Sequence, residues 1–247
     1  VYLKLSIKIT IGIVFVLLMA VIQFASIYLQ QRKFEQMNET QTNQLNKHLE
    51  TNQFLLSTLD WSTVRQKKIL FMRDEIINEW KRCGIEKLNY EKAYEISETN
   101  MKESDKYPNI DPLFLLSIQW QESRFIDTVK SNKGAIGLMQ LMPPTSRLLC
   151  GFFHLSYSRS LIWHVDVNIM LGTKLVDVLL AEYEDLELVL ADYNGGPYQA
   201  YYFKHKRNKL DEETKKFVPS VMKKYSTYTD NLKTYELKYK LLPSKGL

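Results

Sequence analysis

Residues 122–145 read ESRFIDTVKSNKGAIGLMQLMPPT, and the fold class turns on how that stretch is read. Its first residue, Glu122, closes an apolar run without a breaker, LFLLSIQWQES, behind Asp111-Pro112. Asp before Pro is a helix-start signal, because the carboxylate caps free N–H groups and Pro suits the first helical position. Phe114, Ile118 and Glu122 fall at i, i+4 and i+8 and share one helical face. Leu113, Leu116 and Trp120 make a second apolar stripe nearby. Glu122 therefore stands in the last turn, at the margin of a buried stripe. Desolvation and the partial negative charge of a helix C-terminus both disfavour its anion. A carboxyl group kept protonated near neutral pH is what a general acid needs. The helix alone leaves a second reading open, an exposed Glu at a fraying end. Beyond it, Thr128 to Leu141 reads as a loop with a short hairpin around Gly134 and Gly137, and Pro143 to Leu149 as a short helix ended by Gly151.

Downstream the pattern stays helical. The segment from Gly151 to Trp163 is irregular and aromatic. Asp166, read as an N-cap, opens a long helix to about Tyr183 with Ile169, Gly172, Val176 and Leu179 inward, and Gly172 allows close packing. Leu186, Val189, Leu190 and Tyr193 keep the i, i+3, i+4, i+7 spacing, and Gly195-Gly196 ends that helix. Asp211 caps a last helix whose stripe is Phe217, Val218, Val221, Tyr225 and Tyr228.

Upstream, Ile9 to Leu29 contains no charged residue. As a helix it would span roughly 30 Å, enough for a bilayer core. Lys4 and Lys8 precede it and Arg32 and Lys33 follow it, so basic residues flank both ends and do not orient it. A retained membrane anchor is the expectation, with a cleaved signal peptide as the alternative. From Gln31 to about Trp80 the chain is polar and helix-favouring; Leu45, Leu49, Leu56 and Leu59 make too short a seam for a coiled coil and suit a single-helix stalk. Ile69, Met72, Ile76 and Trp80 form a clearer stripe, stopped at Cys83-Gly84, on a helix able to dock on the domain that follows. Glu91 to Lys106 begins as helix, and Tyr107-Pro108-Asn109 breaks it.

The 247 residues carry a net charge of +5, with Lys and Arg interspersed among Asp and Glu except in the C-terminal third. That describes a solvated surface with weak attraction for anionic polymers or headgroups. No helix-turn-helix, zinc-finger or RNA-binding signature is present, so no nucleic acid is expected as a partner. Cys83 and Cys150 lie far apart, and the four histidines form no paired ligand pattern. No metal site is expected, and two separate buried thiols are.

Four ordered pieces resemble the lytic transglycosylases of the soluble lytic transglycosylase (SLT) family. They are ESRF with SNKGAIGLMQLMP; Asn168-Ile169 with Gly172; Ala191-Asp192-Tyr193-Asn194-Gly195-Gly196-Pro197; and Glu213-Thr214 with Phe217, Val218, Val221 and Tyr225. The resemblance covers Asp111 to about Tyr228. Pro144, Gly195, Tyr198 and Phe217 depart from the family pattern, Tyr198 standing where Gly usually follows the Pro. The resemblance implies a mainly α, lysozyme-like (goose-type lysozyme/SLT) catalytic domain at 107–247, behind a transmembrane anchor at 1–31 and a helical stalk at 32–106.

It also implies a single acid, Glu122, and no cofactor. Three carboxylates could be sought as a second catalytic group, Asp127, Asp166 and Asp192, and none has a compelling place. The supporting residues implied are Ser123, Met139, Gln140, Tyr193 and Asn194. Each has a plainer reading beside it: a helix-end hydroxyl for Ser123, a core side chain for Met139 and Tyr193, a helix cap for Asn194. Gln140 is expected to bond a substrate acetamido group. The implied partner is the peptidoglycan glycan strand, cleaved between N-acetylmuramic acid and N-acetylglucosamine into 1,6-anhydro ends. A goose-type lysozyme-like muramidase is the rival of the same class. A membrane-anchored wall-binding scaffold, with a cell-envelope assembly as partner, is the rival of another. The catalytic domain is expected outside the membrane, where that substrate lies.

Overall fold

The computed structural model describes residues 23, 29–44, 46 and 63–240. The chain divides into two compact units between Ser62 and Thr63. In the first, residues 29–44 are helical and exposed, with the Thr40 and Thr42 hydroxyls donating to carbonyls one turn back. The run Ile9–Leu29, apart from Gln23 and Leu29, and the seam of Leu45, Leu49, Leu56 and Leu59 lie outside the described residues. Among the described residues no helix is long and apolar enough to cross a membrane.

The second unit is built from helices. They are α1 (residues 63–82), α2 (Tyr90–Ser104), α3 (Pro112–Ser123), α4 (Pro143–Phe152), α5 (Val165–Tyr183), α6 (Leu186–Gly195), α7 (Pro197–His205) and α8 (Glu212–Lys240). Single 3-10 turns at Leu161–Trp163 and Arg207–Lys209 join neighbours. Among the described residues β-pairing is confined to isolated bridges in the loop between α3 and α4.

The helix ends follow local chemistry. Asp111 accepts from the Leu113 N–H at 3.0 Å, Asp185 from Glu187 at 2.8 Å and Asp211 from Thr214 at 2.6 Å, satisfying N–H groups that have no partner inside the helix. Two expected boundaries move. α4 runs through Gly151 to Phe152, because Gly151 keeps a helical backbone and most of a further turn can form. α5 begins behind His164, and Asp166 sits inside its first turn, where a carboxylate favours the helix dipole.

α3 is the central helix, with Leu113, Phe114, Leu115, Leu116 and Ile118 all buried. It packs on α8 and α2, and α5 on α2, α4 and α6. α1 contributes Ile69, Met72, Ile76 and Trp80 to the same core, and α2 contributes Ala93, Ile96 and Met101. Buried Asn100 and Gln119 exchange two side-chain hydrogen bonds, at 3.0 and 2.7 Å, joining α2 to α3 with their amides paired. The expected buried thiol is found at Cys150, whereas Cys83 is exposed, because α1 ends there and its side chain lies past the stripe that docks.

Candidate active site

α3 delivers Glu122 to a cleft and then turns sharply. Arg124 and Phe125 follow with φ of 52° and 63°, left-handed conformations that cost L-residues about 1–2 kcal/mol each. Surrounding contacts hold the turn. The Arg124 guanidinium lies 3.7 Å from the Trp120 ring centroid and 3.5 Å from the Glu79 carboxylate, and Phe125 is buried. The Ser123 hydroxyl lies 3.1 Å from the Gln119 carbonyl and 2.9 Å from the Leu138 carbonyl, linking the helix end to the GLMQ loop.

That loop is pinned from below by α5. Asn168, buried, donates from Nδ2 to the Ile136 and Ile162 carbonyls, each at 3.0 Å, and accepts from the Met139 N–H at 2.8 Å. Gly137 has a φ of 79°, and a Cβ there would stand 2.5 Å from Asn168 Nδ2. Both its conformation and the space beside it require glycine. Gly172 on α5 leaves room for the Met139 side chain, whose sulfur a Cβ would strike.

Two side chains complete the wall. Gln140 Nε2 donates to the carbonyls of Val129 at 3.0 Å and Gly137 at 2.9 Å. With both partners carbonyl oxygens, the amide orientation is determined, and Oε1 is the atom left to accept. Tyr193, from the end of α6, donates its hydroxyl to the Met139 carbonyl at 2.7 Å. Burial, and secondarily the nearby Glu122, hold the Tyr193 phenol well above its usual range.

The cleft has a volume of about 750 Å³, and Glu122, Gln140, Tyr193, Asn194 and Glu213 line it. Glu122 keeps some surface toward the cleft, yet its carboxyl lies deep enough among protein atoms that desolvation dominates. Burial first, and the negative Glu213 second, push its pKa up to about 8. At neutral pH the group is therefore predominantly the neutral acid, able to donate a proton. Glu213 stays toward solvent and pairs with Lys133 at 2.6 Å, joining the start of α8 to the loop between α3 and α4.

Glu122, Gln140, Tyr193 and Asn194 come together on this one cleft. Ser123 stands behind the wall, where both hydrogen bonds go to backbone carbonyls. Met139, read as a sugar contact or a core side chain, is core: it is 0% exposed and packed against Gly172. Asn194 accepts from the Thr214 hydroxyl at 2.8 Å, fastening α6 to α8. Of the three aspartates, Asp192 alone lines the cleft, and there the Tyr183 hydroxyl donates to it. Asp127 lies 3.7 Å from Lys92, and Asp166 is an exposed first-turn residue. Glu213 and Asn168 have a place in the sequence motifs, which assign them no task. Glu213 carries a signal in hindsight, an acid in the first turn of a helix that closes the fold.

The spacing of these groups agrees with a known sequence pattern: residues 99–217 match the family model of the transglycosylase SLT domain. Over that stretch, just under half of the chain, the sequence is similar to SLT domains. All the cleft-lining residues named above fall within the matched span. Solved structures similar to the chain include an inactive mutant of the lytic transglycosylase Slt from Pseudomonas aeruginosa, at 26% identity over 55% of this chain and 24% of that one, with a TM-score of 0.49. The soluble lytic transglycosylase of Escherichia coli is similar at 23% identity over 55% of this chain and 24% of that one, TM-score 0.49. A complex of the 70-kDa soluble lytic transglycosylase with bulgecin A is similar at 22% identity, over 56% and 26%, TM-score 0.44. The alignments thus take in about a quarter of the length of those structures.

Proposed function

We propose that this chain is a peptidoglycan lytic transglycosylase with Glu122 as its catalytic acid. One observation carries the reading: an SLT domain holds a glutamic acid on its cleft wall with a pKa pushed up to about 8. Glu122 donates its proton to the oxygen that bridges N-acetylmuramic acid and N-acetylglucosamine, and the bond to the anomeric carbon breaks. The substrate's own acetamido oxygen attacks that carbon and disperses its positive charge. The Glu122 carboxylate then takes the proton of the 6-hydroxyl, whose oxygen displaces the acetamido group and closes the 1,6-anhydro ring. The acid is restored, and no water is consumed.

Gln140 and Tyr193 support this arrangement by shaping the wall beside the acid. Gln140 Oε1 remains to accept an N–H from an acetamido group, while Nε2 holds the loop. In this reading the apolar run Ile9–Leu29 anchors the chain, the SLT domain works on the outer face of the membrane, and a cell-envelope assembly is its further partner.

The muramidase reading has one observation in its favour, a second carboxylate, Glu213, on the same cleft. Products separate the two. Purified protein on peptidoglycan sacculi is expected to release 1,6-anhydro-muramyl ends, read as a loss of water relative to reducing ends by mass spectrometry. Reducing ends would make it a hydrolase, and an absence of any soluble product would return the chain to the scaffold reading.

A further inference from the structure

α7 carries aromatic rings away from the cleft along one stripe. Gly196 and Pro197, at the start of this helix, still line the cleft. The next residue is Tyr198, which is 75% exposed, and one turn further comes Tyr201, 47% exposed. Spacing of i, i+3 and i+7 puts Tyr198, Tyr201 and His205 on one face. Ala200 and Phe203 occupy the opposite side and are buried. The Tyr201 ring is braced, with its centroid 5.0 Å from the His205 ring, 5.9 Å from the Tyr202 ring and 5.7 Å from the Lys206 ammonium. The Tyr201 ring is therefore held before any ligand arrives, which lowers the entropy cost of stacking on it.

We infer that Tyr198 and Tyr201 form a sugar-stacking platform that continues the cleft along α7 and holds the glycan strand beyond the reacting bond. The inference rests on the proposed function. A polymer that enters the cleft must leave it over a rim, and the rim at Gly196-Pro197 leads directly onto this stripe. A pyranose ring presents apolar C–H faces and a polar edge. A phenol ring has the matching character, an apolar face with a polar tip that stays in water. Lys206 and His205 add donors for hydroxyl and carbonyl groups beside the rings. A glycine after Pro197, as is usual in the family's turn, would offer no ring at the first of these positions. The platform is thus a length and specificity device of this chain.

Full-length wild type, a Tyr198→Ala/Tyr201→Ala variant and a Tyr198→Phe/Tyr201→Phe variant are compared on long uncrosslinked glycan strands and on the shortest muropeptide oligosaccharide that is turned over. The Ala variant is expected to show a KM about three- to tenfold higher on long strands, with kcat little changed and no such rise on the short substrate. The Phe variant is expected to behave as wild type, since stacking needs the ring. Equal KM values on long strands overturn the platform, and so does an equal loss on both substrates or a Phe variant as weak as the Ala variant. Co-sedimentation with sacculi, with each chain also carrying Glu122→Gln, reads binding without turnover. Weaker pelleting of the Ala variant supports the platform and equal pelleting overturns it. A wild type without turnover sinks the proposed function while leaving this binding comparison intact.

Discussion

Burial keeps Glu122 in the neutral, proton-bearing form that a general acid needs. Its pKa moves from 4.5 to about 8, chiefly through burial and then through Glu213. Between those values the folded chain keeps a proton that the unfolded chain has released, so stability falls as pH rises through this window. Glu122→Gln keeps the shape and removes the titration. The variant is expected to match wild type in chemical denaturation at pH 5 and to exceed it at pH 9. Its turnover on sacculi is expected to fall about a hundred- to ten-thousand-fold, because an amide cannot deliver the proton. Wild-type turnover is expected to decline above about pH 8 with the same titration. A normal rate for Glu122→Gln would assign the acid elsewhere. Tyr193 is a different case, because its hydroxyl donates a hydrogen bond to the Met139 carbonyl at 2.7 Å. Tyr193→Phe leaves that carbonyl without its donor, so a loss of about 1–2 kcal/mol in stability is expected together with reduced turnover. Thermal melts and single-substrate kinetics check both, and a silent variant in both assays would remove Tyr193 from the wall.

At the scale of elements, the site exists because α5 and the GLMQ loop fit each other. Asn168 supplies one acceptor and two N–H donors to three backbone groups, so every polar atom of its amide is used. Asn168→Asp keeps the acceptor for the Met139 N–H but turns the second oxygen toward the Ile136 and Ile162 carbonyls. Lost bonds and oxygen–oxygen repulsion are expected to cost about 2–4 kcal/mol. Turnover should fall with them although the residue is 1% exposed and does not line the cleft; an unchanged melting temperature would show that the loop is held by other contacts. Helix identity and most ends follow from signals within a few residues, such as Asp111 and Asp211 as caps and the stripe from Phe217 to Tyr228. The tasks of Asn168, Tyr193 and Asn194 depend on partners 32, 54 and 20 residues away. Periodicity carries no information about such partners, and motif membership marks the residue without saying what it holds. The fate of Met139 was open for the same reason: a buried face opposite Gly172 and a sugar-facing one have the same local spacing.

At the scale of the molecule, the body that carries the cleft begins well before the SLT match. The sequence suggested a stalk at 32–106 and a domain from 107, and the SLT match starts at residue 99. The compact unit starts at Thr63. Residues from α1 and α2 enter the core that supports α3: Ile69, Met72, Ile76, Ala93 and Ile96 are each 0% exposed. Polar contacts cross the same boundary. Lys68 meets Asp111 at 3.7 Å, Glu79 meets Arg124 at 3.5 Å in the turn after Glu122, and Asn100 and Gln119 bond reciprocally. A chain beginning at Thr63 retains all of these and is expected to unfold in one cooperative transition, with the bond specificity of the full chain. A chain beginning at Tyr107 loses the apolar cover of α3 and the Asn100 partner of Gln119. Each exposed large side chain forfeits about 1.5–3 kcal/mol of burial, and several together exceed the usual net stability of a domain. That shorter chain is expected to be unfolded or aggregated by circular dichroism and size exclusion. If it folds and cleaves sacculi at the rate of the chain from Thr63, α1 and α2 are an accessory to the catalytic body and the left-handed turn at Arg124 and Phe125 holds without Glu79.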